Sequence, residues 1–357
     1  MNFRLLPGKE LDAGLATRWA EIQQLDPRFA SPYFRPEFTQ SVAAVRDDAW
    51  ICVLESGNRV VGFFPFHRQW GGIGRPIGLG LSDHHGVIVE ADVEWDVAEL
   101  LGAAGLVRYE FDHLLAEQQQ WAHLHQRVAR SPIIETGAGY EAYEAVRNEM
   151  NGRQLKDAYR CIRKLEREHE AHRFTADSFD AAAFDAAIEW KRTQCQRTGV
   201  EDYFAIPWTI ELLRELHARQ SEDFAGILST VHVGETLVAV HFGMRSRDVL
   251  HFWFPSYRPD YASYSPGSIL LVELIRHACE AGMAHIDLGK GMAQYKERFM
   301  TSKVMVAEGV ATRPALVNEL YRLRAKTEAW GKNSALRPLL RWPGRLIKKL
   351  DRRGRFE

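Results

Sequence analysis

Apolar positions change their spacing several times along this chain, and the changes mark out its elements. Trp50 to Glu55 (WICVLE) and Arg59 to His67 (RVVGFFPFH) are β-prone runs on either side of Ser-Gly-Asn, the pattern of a β-hairpin. The Gly-rich run Gly71 to Gly80 reads as a loop, Val87 to Val89 as a strand and Val97 to Ala104 as a helix. From Glu141 to Arg173 the spacing is helical, with Lys156, Arg160, Arg163, Lys164 and Arg167 on one face. That stripe fits a solvated connecting helix or a contact to a substrate phosphate. Helices near Phe184 to Thr198 and Trp208 to Gln220 follow, then strands Gly226 to Val233 and Thr236 to Met244 about a Gly234-Glu235 turn. Val249 to Phe254 is a third strand. A loop, a helix from Ser265 to about Ala281 and a strand His285 to Leu288 complete the pattern. Antiparallel strands followed by strand, helix, strand predict an α/β fold of the α+β kind, a mixed sheet with one crossover.

Length, composition and charge add limits to this picture. A chain of 357 residues exceeds what one core organises, so two domains and a tail are expected, divided as 1–140, 141–312 and 313–357. Apolar stretches fall short of a bilayer span, and MNFRLLPGKELDAG lacks the apolar core of a signal peptide, so a cytoplasmic location is expected. Cys52, Cys161, Cys195 and Cys279 are far apart, and the pairs His84/His85, His123/His125 and His169/His172 lack companions at ligand spacing. Neither disulfides nor a metal is expected. From Arg313 to Glu357 there are 13 Lys/Arg against 4 Asp/Glu in a chain of net charge −1. Between Ser334 and Phe356, Leu336, Leu339, Leu340, Trp342, Leu346, Ile347 and Leu350 fall at helical spacing among basic residues, with a break expected at Pro343. An amphipathic helical tail on an anionic inner-membrane surface is expected, beside the plainer reading of a helix packed on the protein; DNA is not an expected partner.

The most informative local site is Tyr264-Ser265-Pro266-Gly267-Ser268. Ser265 suits an N-cap, Pro266 the first helical position, and Gly267 a close approach of ligand to backbone. The free N–H groups and dipole end of such a helix suit a pyrophosphate, although a well-capped helix needs no ligand.

The runs HFGMR (His241 to Arg245), HFWFPSYRPDY (His251 to Tyr261), YSPGS and IDLGKGMAQYKERF (Ile286 to Phe299) resemble, in order and spacing, the CelD/BcsL acetyltransferases of exopolysaccharide synthesis. These belong to the GNAT superfamily and are related to the FemAB peptidoglycan aminoacyltransferases. FFPFHR and LSDHHGV extend the resemblance more weakly into the first half. The resemblance implies two GNAT-like domains in tandem with the active site in the second. It also implies splayed strands at Val249–Phe254 and His285–Leu288 that take the thioester arm of acetyl-CoA or another acyl-CoA, with the YSPGS segment under the pyrophosphate. The loop Arg/Gln-x-x-Gly-x-Gly/Ala, usual in GNAT enzymes, is absent.

Acyl transfer to an amine needs a base and donors that polarise the thioester carbonyl. Asp287, at a strand end before Gly289, is the first candidate base and His241 the second. Asp287 also suits the fixing of the Gly-Lys-Gly turn, and His241 a buried strand position. Lys296 beside Tyr295 is the YK element of the resemblance and suits an anionic substrate group or a surface ion pair. His251, Trp253 and Tyr257 suit stacking on a sugar or plain core packing. The expected acceptor is an amino sugar or other amine. Two alternatives stand beside this one: FemAB-like transfer from charged tRNA to a cell-wall precursor, and a non-catalytic accessory of a polysaccharide synthase.

Overall fold

The computed structural model describes residues 1–313, so the expected tail helix lies outside the described residues. The strands are β1 (Asn2–Pro7), β2 (Ala49–Ser56), β3 (Arg59–Gln69), β4 (Ile73–Pro76), β5 (Ile88–Val89), β6 (Arg108–Leu115), β7 (His125–Glu135), β8 (His172–Thr175), β9 (Phe224–Val233), β10 (Thr236–Ser246), β11 (Val249–Tyr257), β12 (His285–Asp287) and β13 (Ser302–Thr312). The helices are α1 (Ala13–Leu25), α2 (Pro36–Val45), α3 (Val97–Ala103), α4 (Gln119–Ala122), α5 (Tyr140–Asn151), α6 (Arg153–Glu168), α7 (Ala181–Thr198), α8 (Pro207–Ala218), α9 (Pro266–Glu280) and α10 (Gln294–Phe299).

The chain forms two compact units that interleave in sequence. The first holds Met1–Phe29, Phe38–Ala129 and the chain from Met305; the second holds Ala30–Glu37 and Arg130–Val304. Residues 30–37, 130–140 and 305–312 therefore fall across the divisions expected from sequence.

In the first unit the strand order is β1-β2-β3-β4-β6-β13, with β5 on β3. All neighbours are antiparallel except β4 and β6. β3 is buried along most of its length, and Phe64 and Phe66 meet Tyr109 and Trp121 in an aromatic core while Trp19 of α1 stacks on Phe63 at 4.7 Å. Burial of such rings supplies most of the apolar driving force here. The loop expected at Gly71 to Gly80 contains β4. A Cβ at Gly74 would lie 2.5 Å from Leu106, so glycine lets β4 lie close against the turn that precedes β6.

In the second unit the order is β7-β12-β11-β10-β9-β8, antiparallel except for β11 and β12. α9 is buried at Ile269, Leu270, Leu271, Leu274 and Ile275 and packs with α5 and α6 on one face of these strands. α7 and α8 bring Phe184 and His217 against Phe242. The helix expected from Glu141 to Arg173 is two helices, α5 and α6, parted at Gly152, where the high entropy cost of ordering glycine weakens the helix. The expected mixed α/β architecture is present in both units. Among the described residues no helix is long and apolar enough to cross a membrane.

Candidate active site

β11 and β12 pair as Val249↔His285, Leu250↔Ile286 and His251↔Asp287. β12 ends there, because Gly289 turns the chain with φ of 74°, while β11 continues to Tyr257. The two parallel strands thus part after three pairs. On its other edge β11 carries a bulge: Phe242 faces Phe254 and Met244 faces His251, so one residue of β10 opposes two of β11. A bulge turns an N–H out of the ladder and that group needs another acceptor. His241 supplies it, since its Nε2 accepts from the Trp253 N–H at 3.1 Å.

That bond decides what His241 does. Its ring is buried and stacks on Phe252 at 4.6 Å. Burial first, then the neighbouring His251 and Lys191, pushes its pKa down to about 3. The neutral imidazole spends its lone pair on the bulge, so the structure gives His241 a positioning part in place of the expected basic one.

Asp287 sits where the strands part, almost fully buried, and its Oδ1 accepts from Ser131 Oγ at 3.0 Å and from Gly289 N–H at 2.7 Å. It fixes the Gly-Lys-Gly turn, one of the two parts expected for it, from the floor of the opening. Lys296 holds the same turn from α10, its Nζ donating to Gly289 O at 2.9 Å and Lys290 O at 3.1 Å. Tyr295 stands beside it, half-buried, with its ring 6.5 Å from that of Phe252.

At the start of α9 the expected cap is replaced by another device. Ser265 is left-handed (φ 52°, ψ 53°) and its side chain makes no capping bond. Its carbonyl accepts from Ser268 N–H at 2.8 Å and Ile269 N–H at 3.3 Å, and Pro266 has no N–H. The first turn is therefore satisfied from within, and Gly267 carries the one remaining amide of that turn. A Cβ at Gly267 would meet only Tyr257, at 3.7 Å, so packing does not demand glycine there and the helix start is open to close approach. Tyr264 is held by α6: its hydroxyl bonds Glu168 at 2.9 Å and His169 at 3.1 Å, with Lys164 Nζ 4.8 Å above its ring. The basic face of α6 thus adjoins the segment that leads into α9.

The aromatic edge is more buried than its sequence suggests. His251 is fully enclosed, 5.0 Å from the ring of Tyr33, and so offers no face to a sugar. Trp253 and Tyr257 are half-buried, Trp253 meeting Tyr33 edge-on at 5.9 Å. Three residues of this site escape sequence reasoning. Tyr33 and Ser131 come from remote segments with no motif of their own. Lys191 on α7 reads as one polar position of an ordinary helix, yet its Nζ donates to Pro255 O of β11 at 3.1 Å. Burial, with Lys296 nearby and against the pull of Cys195, lowers its pKa. Among the described residues no group of three His, Cys, Asp or Glu is placed to hold a metal ion.

Parallel strands that part over a buried floor, with a helix start beyond them, are the framework of a GNAT acyltransferase. Residues 152–297 match the family model described as acetyltransferase (GNAT) domain, and with it the protein is an enzyme of the acyltransferase class. Solved structures share the fold across both units. FemX is 8% identical, with a TM-score of 0.59 over 90% of this chain and 100% of that one. The C-terminal domain of a putative lysylphosphatidylglycerol synthetase from Agrobacterium fabrum is 13% identical, with a TM-score of 0.54 over 89% and 96%. The L-PGS structure from Bacillus licheniformis is 12% identical, with a TM-score of 0.51 over 87% and 97%. No curated protein matches the sequence.

Proposed function

We propose that the enzyme transfers an acetyl or other acyl group from acyl-CoA to the amine of an amino sugar in surface polysaccharide synthesis, as in the CelD/BcsL acetyltransferases. The observation that carries this reading is the parting of β11 from β12 after His251↔Asp287 with the Gly267 amide beyond it. A thioester arm is an extended chain with amide groups, suited to lie along the free edge of β11 between Phe252 and Tyr257. The phosphates of the donor then meet Gly267 and the cations of α6, among which Lys164 stands over Tyr264.

The residues divide the work. His241 holds the bulge and thereby the course of β11; Lys191 holds the Pro255 carbonyl and brings a positive charge toward the opening. Such a charge stabilises the oxyanion that forms when an amine attacks a thioester carbonyl. Asp287 is the carboxylate at the floor and takes the amine proton in this reading; Lys296 keeps its turn in place. Trp253 and Tyr257 offer half-buried ring faces for the acceptor.

One observation favours a second reading. Arg153, Lys156 and Arg163 of α6 have no carboxylate partner among the described residues, and a row of unpaired cations beside the donor site also suits the phosphates of a charged tRNA. Calorimetric titration with acetyl-CoA separates these readings. Saturable binding near one equivalent, competed by CoA, is expected; no heat with acetyl-CoA but binding of aminoacyl-tRNA transfers the assignment to the second, and neither leaves a non-catalytic accessory.

A further inference from the structure

The edge of the first unit where the β3–β4 hairpin turns carries features that the acyl-transfer reading does not use. Trp70 at its tip is 96% exposed, and the next two residues, Gly71 and Gly72, take φ of 74° and 72°. An indole held in water costs apolar hydration, and two left-handed residues fix the turn that presents it. Beside it lies a second exposed apolar side chain, Val107, whose N–H donates to Gly72 O at 2.9 Å. Val107 O in turn accepts from Arg313 N–H at 2.8 Å, so three backbone segments end together at this edge.

The same edge is positively charged. Arg68 lies over Trp50 at 5.8 Å and against Gly105, and Arg313 lies against Gly102. Neither guanidinium has a carboxylate partner among the described residues, whereas Lys9 is matched by Asp47 and Arg46 by Asp48. From Arg313 the chain continues directly into residues 314–357, rich in Lys and Arg with Leu, Ile and Trp between them.

We propose that this edge docks on an anionic lipid bilayer, with Trp70 and Val107 entering the interface and Arg68 and Arg313 facing the phosphates. Tryptophan prefers the headgroup level because its ring is apolar and its N–H polar. Each unpaired arginine adds attraction to a negative leaflet, and the chain beyond Arg313, basic in sequence, begins at this edge. This contact belongs to the first unit and is independent of whether the acyl donor is CoA.

The test is flotation of the full-length protein with vesicles of phosphatidylglycerol and phosphatidylethanolamine, compared with phosphatidylcholine alone, alongside sedimentation without lipid. The wild type is expected to float with the anionic vesicles only. Trp70→Ser is expected to lower the partition coefficient roughly tenfold at any salt concentration. Arg313→Gln is expected to lower it about fivefold at low salt and less at high salt. Both side chains lie on the surface, and circular dichroism verifies the folds. Equal flotation of wild type and both variants overturns the proposal. So does stronger flotation of Trp70→Ser, which marks Trp70 as covered by the chain's own tail, or loss of a dimer in that variant without loss of flotation, which marks an interface between copies.

Discussion

Each unit contains one pair of parallel strands joined through a helical crossover, and the two pairs are completed differently. In the first unit β4 and β6 pair at Ile73↔Arg108 and Gly74↔Tyr109, and the chain leaving β4 then returns to fill the line. His85 N–H bonds His113 O at 3.2 Å and Leu115 N–H bonds His85 O at 3.1 Å, so His85 acts as a strand residue beside β6. Leu79 and Leu81 of the same loop are buried, and Gln118 clasps Val87 through both its backbone groups. In the second unit the pairs end at His251↔Asp287 and the chain leaving β11 goes to α9 without returning to that edge. The only two non-glycine residues with positive φ among the described residues stand in these two loops: Leu79, buried, and Ser265, exposed. One framework is closed by its own backbone; the other leaves the edge of β11 unpaired beyond His251, where the proposed function puts the donor. This matches the family model, which covers the second pair and not the first.

The largest effect expected from this contrast lies at Asp287. Replacement by Asn keeps an acceptor for Ser131 and Gly289 but removes the base, so turnover should fall about 100-fold, about 2.7 kcal/mol in the barrier, while acetyl-CoA affinity changes little. The matched control in the first unit is Leu81→Ala, which should cost about 2 to 5 kcal/mol of stability and leave turnover per folded molecule intact. Steady-state kinetics with thermal unfolding of both variants reads this. Full turnover in Asp287→Asn with a lowered melting temperature makes Asp287 a turn-holder only, and the contrast between units then loses its catalytic meaning.

A smaller effect is expected at Gly267. The first turn of α9 satisfies its other amides on Ser265 O, so Gly267 carries the amide that the proposed function assigns to the donor phosphates. Gly267→Val places a branched side chain over it, and acetyl-CoA affinity should fall on the order of tenfold in a folded protein. Unchanged affinity by calorimetry removes the phosphate from this helix start and leaves the cations of α6 as its site.

Much of this arrangement is legible in the chain, and the parts that are not share a cause. The β11, α9 and β12 elements announce themselves because a β-prone run, a Pro-Gly helix start and a second short run follow one another locally. β6, β7 and β13 do not, because their pairing partners lie far away: β13 pairs β6 across Gly309↔Phe111, and β12 pairs β7 across Ile286↔Ile134. The site divides in the same way. Asp287 and Lys296 stand out through a local motif, and Gly267 through helix-start chemistry. Ser131, Tyr33 and Lys191 arrive through tertiary packing alone. His241 is legible as a residue of the site, but its chemistry is not, for a physical reason: the ordinary pKa of histidine says nothing about a ring whose acceptor nitrogen closes a bulge.

The smallest expected effect is a pH dependence that ties α9 to β8 within the second unit. His172 Nδ1 lies 2.8 Å from Glu166 of α6 and its Nε2 lies 3.4 Å from Glu273 of α9, which also pairs with Arg276. The bond to Glu273 first, and then that to Glu166, raises the pKa of His172 against the opposing effect of burial. A histidine whose folded pKa is raised contributes stability that is fully present below its unfolded value, about 6.5, and is lost as pH rises through the folded value. Glu273 behaves in the opposite sense. Burial raises its pKa but His172 and Arg276 outweigh this, so it titrates low and its contribution is lost only in acid. The packing of α9, and with it the Gly267 amide, should therefore be firmest between the two titrations. Thermal unfolding of the wild type should show a decline as pH rises above the unfolded value of about 6.5 that is shallower in His172→Gln, because the glutamine keeps a neutral bond but carries no proton to lose. Parallel curves for the two proteins across that window place the coupling elsewhere and detach the donor site from this ion pair.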